Sequence, residues 1–524
     1  MAQAATMPTG RPLDAPVPTR RVIAFFAMVV GMFMAILDIQ IVSASLAEIQ
    51  AGLSASSEEI AWVQTSYLIA EVVMIPLSGF LGRVFSTRWV FAVSAAGFTL
   101  MSVACGLSTS IEEMILFRAL QGFIGGGMIP SVFAASFSIF PPSKRSTVTP
   151  LIGLVATLAP TIGPTIGGYL TELMSWHWLF FINIIPGIIV ALTTFSLIDF
   201  DKPNLKLLEN FDWWGLLFMA MFLGGAEYVL EEGPLKDWFD EDMVTIFTVI
   251  AVGGGIAFFT RMFTAKQPIV DLSAFKNPNF AMGCLFSFVM GIGLYGLTYM
   301  YPLYLGRVRH YSSLMIGETM FLSGLCMFLT APIAGRLSTK VDPRYMLAIG
   351  FVGFAIGTYI ASGVTKDWDF YELLWPQIFR GVSLMICMIP VSNLALGMLP
   401  PEQLKNASGL YNLMRNLGGA VGLASINTIM NSRFDLHLAR LHEQVDASSA
   451  AAQQWLNSLA QKFAGGVDPQ AMALKQLTAM VRAEAYVMSF GDAFMALTIL
   501  CAALVPVVLM VRKPQARAGG GGGH

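Results

Sequence analysis

Long apolar runs separated by short polar segments form the main pattern along this 524-residue chain. A helix needs about 20 mainly apolar residues to cross the hydrocarbon core of a bilayer. By this measure the sequence predicts an all-α membrane protein with fourteen membrane spans. The predicted spans lie at about 22–46, 59–82, 88–107, 112–137, 145–170, 177–198, 212–231, 242–262, 279–305, 313–337, 344–363, 371–398, 405–431 and 486–511.

Composition supports lipid as the solvent of this chain. Hydrophobic residues make up 55% of it and charged residues only 12%, whereas an ordinary soluble domain carries about 25% charged residues. The net charge of −2 gives no indication of nucleic-acid binding. The five cysteines fall in apolar runs without metal-ligand spacing, which indicates small core residues rather than a disulfide or zinc framework.

Three polar segments lie outside the spans. Residues 1–20 are proline-rich and predict a disordered N-terminus, and the apolar run after them is too long for a cleaved signal peptide. Residues 432–485 form a long segment with helical stretches. This segment predicts either an amphipathic hairpin that continues the flanking helices or a solvated loop, with or without a partner-binding surface. Residues 512–524 form a glycine-rich tail.

The distribution of lysine and arginine predicts the orientation of the chain. If the N-terminus is inside, 19 of the 31 basic residues fall in inner segments and four in short outer loops. The rest lie within spans or in 432–485. Cytoplasmic loops are enriched in basic residues, so both termini are expected in the cytoplasm and 432–485 on the outside.

Among the ionisable residues within the predicted spans, four are candidates for a functional role, because a charge at the bilayer centre costs about 2.5–3.5 kcal/mol on insertion scales. They are Asp38, Glu71, Arg118 and Glu227. Asp38 and Arg118 lie at similar depths in the outer half and are expected to pair, directly or through water. A nearby cation favours the ionised carboxylate and burial favours the neutral form. Asp38 could therefore exchange a proton as its surroundings alternate, or form a static pair.

Glycines four residues apart place small residues on one helix face and allow close helix packing. Gly122 and Gly126 have this spacing, as do Gly163 and Gly167. The second pair lies in APTIGPTIGGYL (159–170), whose prolines remove backbone hydrogen bonds and are expected to bend the helix. Such a helix suits two alternating packings or a static bundle. No phosphate-binding loop, HExxH or CxxC motif indicates an enzyme.

Several stretches, in order, resemble motifs of the fourteen-span drug:proton antiporter group of the major facilitator superfamily. They are LDIQIVSASL with Asp38, LFRALQGFIGGG with Arg118, Gln121 and Gly122, GPTIGG with Gly163, Pro164, Gly167 and Gly168, WHWLFFINIIPG, and PIVDLSAFKNPNF. The resemblance covers residues 20–512. One loop departs from it: GFLGRVFSTRW (79–89) has Arg83 where the group's GxLxDRxGRR motif has aspartate, and Ser86 in place of its second glycine.

The resemblance implies two six-helix bundles, at 21–198 and 279–511, with two extra transmembrane helices within 199–278. It implies export of hydrophobic or amphipathic compounds in exchange for protons, with no cofactor and the proton gradient as energy source. The expected proton-coupling residues are Asp38, Arg118, Glu71 and Glu227. The two glutamates are included because of their predicted burial alone. The residues expected to act as conformational motifs are Gln121, Gly122, Gly126, Gly163, Pro164, Gly167 and Gly168. Tyr67, Tyr295 and Tyr299 are expected in the substrate cavity.

The resemblance also implies partners and a location. The expected location is the bacterial inner membrane. A periplasmic adaptor and an outer-membrane channel would complete a three-part pump there. A stand-alone antiporter is the alternative. A channel or membrane enzyme has little support.

Overall fold

The computed structural model describes residues 17–445, 450–462 and 468–511, and within these ranges all regular structure is helical. The predicted all-α class is confirmed. The tail 512–524 and residues 1–16 of the predicted disordered N-terminus lie outside the described residues. The helices are α1 (Thr19–Ala44), α2 (Leu46–Leu53), α3 (Ser57–Gly106), α4 (Ile111–Gly125), α5 (Met128–Ile139), α6 (Pro142–Leu173), α7 (Trp178–Phe181), α8 (Ile184–Leu197), α9 (Trp213–Glu232), α10 (Asp242–Thr264), α11 (Pro278–Arg307), α12 (Ser313–Leu337), α13 (Pro343–Ser362), α14 (Phe370–Leu396), α15 (Pro401–Gln444), α16 (Ala450–Lys462) and α17 (Pro469–Leu509).

Twelve helices among the described residues are long and apolar enough to cross a membrane. The predicted number of fourteen differs at two places. First, α3 has 50 residues and contains a non-helical break at Ser86, so two predicted spans were merged into one helix. Second, α15 covers the predicted span 405–431 but is absent from the twelve. The number fourteen stays a prediction.

Proline and glycine act differently in two of these helices. The predicted span 112–137 is divided into α4 and α5 by a turn at Gly126 and Gly127. In contrast, α6 runs through Pro150, Pro160 and Pro164 without a non-helical residue. Neighbouring helices at membrane depth can compensate for the lost backbone hydrogen bonds. The prolines in APTIGPTIGGYL therefore do not interrupt the helix.

The helices pack into two groups. We use N bundle for α1–α8, in which α1 contacts α5, α6 and α8, and α3 contacts α4 and α8. We use C bundle for α11–α17, in which α11 contacts α14 and α15, and α13 contacts α14 and α17. The two bundles meet where α6 lies against α12 and where α3 and α5 lie against α15.

The two helices between the bundles form a pair of their own. Helices α9 and α10 pack along each other, and α9 also contacts α3 of the N bundle and α15 of the C bundle. An ion pair between Arg261 Nε and Asp212 Oδ1, 2.8 Å apart, joins the two helices at one end. Through α9, this pair lies beside the junction of the two bundles.

The long polar segment continues the flanking helices. Helix α15 extends to Gln444 and α17 begins at Pro469, while α16 packs against α17 and buries Leu459 between them. Of the two alternatives for 432–485, the described residues therefore show the helical hairpin. Residues 446–449 and 463–467 lie outside the described ranges.

Candidate functional site

Asp38 lies at the centre of a fully buried polar cluster in the N bundle. Its Oδ2 atom accepts a hydrogen bond from Arg118 Nη1 at 2.6 Å. Its Oδ1 atom accepts from Asn183 Nδ2 at 2.7 Å and from Gln121 Nε2 at 3.2 Å. The expected pairing of Asp38 with Arg118 is thus present and direct. Three donors on one carboxylate are the arrangement that stabilises its ionised form.

The cluster extends beyond the carboxylate. Arg118 Nη1 also donates to Gln121 Oε1 at 2.8 Å, and Arg118 Nε donates to the Val63 carbonyl at 3.3 Å. The guanidinium lies over the ring of Tyr67, 4.2 Å from its centroid, in a cation–π contact. Asn183 Nδ2 donates to Ser102 Oγ at 3.0 Å. Helices α1, α3 and α4 and the α7–α8 junction therefore all contribute to one site.

Glycines allow the helices of this cluster to approach closely. A Cβ atom at Gly122 would overlap the Tyr67 carbonyl oxygen, and one at Gly126 would lie 2.9 Å from the Glu71 carbonyl oxygen. The face with Gly122 and Gly126 thus packs α4 directly on the backbone of α3. Arg118 and Gln121 precede these glycines on the same helix, so the close approach brings them to Asp38.

The glycines of APTIGPTIGGYL pack against α1, next to Asp38. A Cβ atom at Gly163 would overlap the side chain of Gln40, and one at Gly167 would lie 2.9 Å from the Ile41 carbonyl oxygen. Pro164 and Gly168 are half-buried in the same helix. The prediction that these glycines form a flat face for a neighbouring helix is confirmed, and that neighbour belongs to the same bundle.

Glu71 and Glu227 line a second site, a cavity between the bundles. The cavity has a volume of about 70 Å³, enough for a few water molecules. Its polar lining comes from both bundles and from α9. The polar residues are Gln40, Glu71, Glu227, Glu231, Tyr295 and Asn416, and the rest of the lining is mainly aliphatic. Within the part of the chain that the structure describes, Glu227 Oε2 is buried without a hydrogen-bond partner.

The three tyrosines have different surroundings. Tyr295 lines the cavity and its hydroxyl lies 3.4 Å from Asn416 Oδ1. The hydroxyl of Tyr299 donates to Asn427 Oδ1 at 2.8 Å, outside the cavity lining. Tyr67 is fully buried beneath Arg118 and does not line the cavity in this structure. Of the three, Tyr295 is the one that lines the cavity between the bundles.

The C bundle contains a related cluster without a carboxylate. In α4 the order is Arg118, Gln121 and then glycine, and in α14 it is Gln377, Arg380 and then glycine. Arg380 Nη2 donates to Thr298 Oγ1 at 2.7 Å and Arg380 Nη1 lies 3.4 Å from Gln377 Oε1. Both arginines are buried, but among the described residues an acidic partner is present only in the N bundle. The carboxylate chemistry of the structure is therefore asymmetric.

Sequence reasoning missed several residues of these sites, among them Asn183, Ser102 and Glu231. Asn183 and Ser102 belong to the Asp38 cluster, and the signal for Asn183 was a lone amide in the apolar stretch FFINIIPG. Glu231 lies at the end of the predicted span 212–231, a position that suggests exposure at the interface, yet it lines the cavity with Glu227. The spacing of four residues in EYVLE, which places both glutamates on one face of α9, could have indicated this.

Two helical bundles that meet around a polar cavity at membrane depth define a multi-pass membrane transport protein. Comparison with known proteins agrees. The family model of the Major Facilitator Superfamily matches residues 28–423. The chain belongs to this superfamily and is a transporter rather than an enzyme.

The chain is similar to named relatives along most of its length. It is 44% identical to the colistin resistance protein EmrB of Acinetobacter baumannii over 91% of this chain and 93% of that protein. It is 30% identical to the multidrug export protein EmrB of Escherichia coli, over 96% and 97% of the two chains. Among solved structures, the human organic anion transporter MFSD10 covers 93% of this chain and all of its own, with a TM-score of 0.59 and 13% identity. That structural likeness concerns the fold.

Proposed function

We propose that this protein exports hydrophobic and amphipathic compounds, many of them cationic, in exchange for protons. The observation that carries the proposal is the cavity between the bundles, where Glu71, Glu227 and Glu231 face one space. Aliphatic walls suit an apolar compound, and carboxylates suit either a proton or a positive charge. The names of the relatives, which refer to multidrug export and colistin resistance, are consistent with it.

Competition between protons and the exported compound for the same carboxylates would couple proton movement to export. A cationic compound binds best when the glutamates are ionised, and a proton neutralises them. If the proton-bound and substrate-bound forms favour opposite orientations of the bundles, linkage makes the two flows run in opposite directions. Glu71 belongs to α3 of the N bundle and Glu227 to α9. Protonation of these glutamates therefore changes the electrostatic interaction between α3 and α9.

The Asp38 cluster has a different place in this scheme. Asp38 has no exposed surface and its carboxylate already accepts three hydrogen bonds. A proton can reach it only after the surrounding helices separate. We infer that Glu71 and Glu227 are the first residues to exchange protons. The Asp38–Arg118 pair changes only when the packing of the N bundle changes.

Transport in proteoliposomes tests the proposal. Purified protein should accumulate a cationic dye when an imposed pH gradient supplies protons from the side to which the dye is exported. Glu71→Gln and Glu227→Gln should each abolish gradient-driven movement. Glu318→Gln is the matched control, because Glu318 is an exposed carboxylate in α12 outside the cavity. Equal dye movement with and without the gradient in the unmodified protein would contradict proton exchange.

We further propose that the protein lies in a bacterial inner membrane with both termini in the cytoplasm and works with a periplasmic adaptor and an outer-membrane channel. The support is the hairpin of α15, α16 and α17, which extends beyond the predicted membrane region, together with the similarity to EmrB proteins. Replacing residues 446–467 by a Gly/Ser linker should weaken co-purification with such an adaptor and leave proteoliposome transport intact. Unchanged co-purification would favour the alternative, a stand-alone antiporter.

A further inference from the structure

The loop between the two halves of α3 lacks the carboxylate expected there. Arg83 occupies the aspartate position of the resembling motif, and its guanidinium lies over the ring of Phe80, 5.6 Å from the centroid. The chain changes direction at Ser86, which has φ 74° and ψ 156°. This loop lies at the end of the bundles that the basic residues predict to be cytoplasmic, which we call the basic face.

Asp201, in the linker after α8, supplies a carboxylate at this loop from another part of the chain. Its Oδ2 atom accepts hydrogen bonds from the Thr87 backbone N–H and from Thr87 Oγ1, both at 2.7 Å. The backbone N–H of Asn204 donates to the Val84 carbonyl at 2.8 Å, so the linker is held along the loop. Asp201 therefore fixes the residue that directly follows the turn at Ser86.

The same carboxylate oxygen binds a cation of the other bundle. Lys405 Nζ, in the first turns of α15, lies 2.5 Å from Asp201 Oδ2 and 2.6 Å from the Gly82 carbonyl oxygen. The backbones touch beside this ion pair, because a Cβ atom at Gly79 would lie 2.9 Å from the Lys405 carbonyl oxygen. The neighbouring ion pair of Arg21 with Asp199, in contrast, joins the same linker to α1 of the N bundle and does not reach the C bundle.

We propose that Asp201 and Lys405 form a latch that holds the basic faces of the two bundles together, with Asp201 as a positioning residue in place of the aspartate that the loop 79–89 lacks. The proposal rests on the alternating-access transport proposed above. Rigid movement of one bundle against the other must separate Lys405 from Asp201 and Gly82 whenever the basic face opens. The hydrogen bonds of Asp201 to Thr87 stay within the N bundle and keep the carboxylate in place for the next closure.

The strength of the latch follows from its surroundings. The side chains of Asp201 and Lys405 are 14% and 19% exposed, so water screens this pair less than a surface ion pair. Neutralising either residue should increase the open population about fivefold to thirtyfold, between the effects typical of exposed and of buried pairs. A much stronger pair would prevent the face from opening during transport.

Cysteine labelling measures this population directly. Ser131 lines a small crevice beneath the latch together with Gly82, Thr87 and Lys405, so Ser131→Cys should react with a maleimide only when the bundles separate. Asp201→Asn keeps an acceptor for Thr87 and removes the charge, and it should raise the labelling rate about fivefold to thirtyfold. Lys405→Gln should act alike, and the double variant should add little. Lys405→Arg should retain the original rate.

The matched control is Asp199→Asn, which breaks an ion pair of the same linker inside the N bundle and should leave labelling unchanged. A second reporter, Leu423→Cys, lies about 27 Å along α15 from Lys405 and lines the central cavity. Opening of the basic face should raise its labelling together with that of Ser131→Cys, whereas partial unfolding would also label the native Cys387, which is buried inside the C bundle. Unchanged labelling at Ser131→Cys in Asp201→Asn would overturn the latch. Increased labelling in a protein without gradient-driven export would support the latch and overturn the proposed function.

Discussion

At the residue scale, the surroundings of each buried ionisable group determine whether it can gain or lose a proton. The Arg118 guanidinium contacts one carboxylate, one amide oxygen, one carbonyl and one aromatic face, and its Nη2 atom is buried with no hydrogen-bond partner among the described residues. Such a cluster has little freedom, because removing any partner leaves a buried charge uncompensated. Glu227 differs because it lies next to open volume, and its Oε2 atom has no hydrogen-bond partner among the described residues. Proton exchange is expected at the second kind of group.

The first prediction concerns Asp38. The sequence suggests that Asp38→Asn would be a mild change of shape, but in the structure it leaves the Arg118 cation without a counter-charge. Breaking a buried pair typically costs about 3–5 kcal/mol, so Asp38→Asn should strongly lower the thermal unfolding temperature in detergent. Adding Arg118→Gln to it should recover part of the loss. If the two losses are simply additive, the pair has no coupling energy and the cluster is not a unit.

The second prediction concerns Ser86. A φ of 74° with ψ 156° is a conformation that glycine adopts readily and other residues adopt at about 1–3 kcal/mol. Glycine in turn costs about 0.5–1 kcal/mol through the entropy of the unfolded chain. Ser86→Gly should therefore raise stability slightly, and Ser86→Ala, which keeps the Cβ atom, should not. Comparison of unfolding temperatures checks this, and a lower value for Ser86→Gly would show that the turn is not strained.

At the element scale, the pattern of apolar residues predicts helices well and their partners poorly. Local spacing places Gly163 and Gly167 on one face, and that face does pack against a helix. It does not reveal whether that helix is α1 of the same bundle or α12 of the other. Asp201 shows the same limit. Nothing in its local sequence links it to Thr87 or to Lys405, which lies 204 residues away.

The residues of the Asp38 cluster also differ in how well the sequence predicts them. Asp38 and Arg118 could be matched by their depth in two predicted spans, because depth follows from helix rise. Asn183 could not, since depth alone does not distinguish a buried amide from one that faces lipid. The position of Glu231 near a helix end suggests exposure, whereas the packing of α9 on α3 and α15 leaves it half-buried in the cavity lining.

The third prediction separates the two faces of α6. Gly163 packs on α1 inside the N bundle, whereas Gly317 of α12 meets Thr165 across the bundle interface. Overpacking typically costs about 1–3 kcal/mol. Gly163→Leu should lower the unfolding temperature, and Gly317→Leu should mainly change the accessibility of reporter cysteines, because the interface rearranges during transport. Ile166→Leu, of nearly equal volume, is the control.

The contrary outcome for this prediction is specific. If Gly163→Leu leaves stability unchanged and alters reporter accessibility, the contact of α6 with α1 is itself one of two alternating packings. The glycines of APTIGPTIGGYL would then act as a conformational motif, as the resemblance implies.

At the scale of the whole molecule, opposite ends of the structure have different chemistry. The basic face joins the two bundles through Lys405, Asp201 and the Gly82 carbonyl. The opposite end bears the hairpin of α15, α16 and α17, in which His437 Nε2 lies 2.9 Å from Asp492 Oδ2 of the same bundle. Contacts at one end therefore link the bundles, and contacts at the other extend one of them.

The last prediction concerns the orientation of the protein in the membrane, since its two ends differ. Because basic residues stay on the cytoplasmic side, the turn after α12 should face the cytoplasm and α16 the outside. Thr339 and Ser458 are exposed residues of these two segments, and the cysteines of the chain are buried or half-buried. In intact cells a membrane-impermeant maleimide should therefore label Ser458→Cys and not Thr339→Cys, while both should react after the membrane is permeabilised. The reverse pattern would invert the whole assignment: the latch would then lie outside, and the hairpin could not reach a periplasmic adaptor.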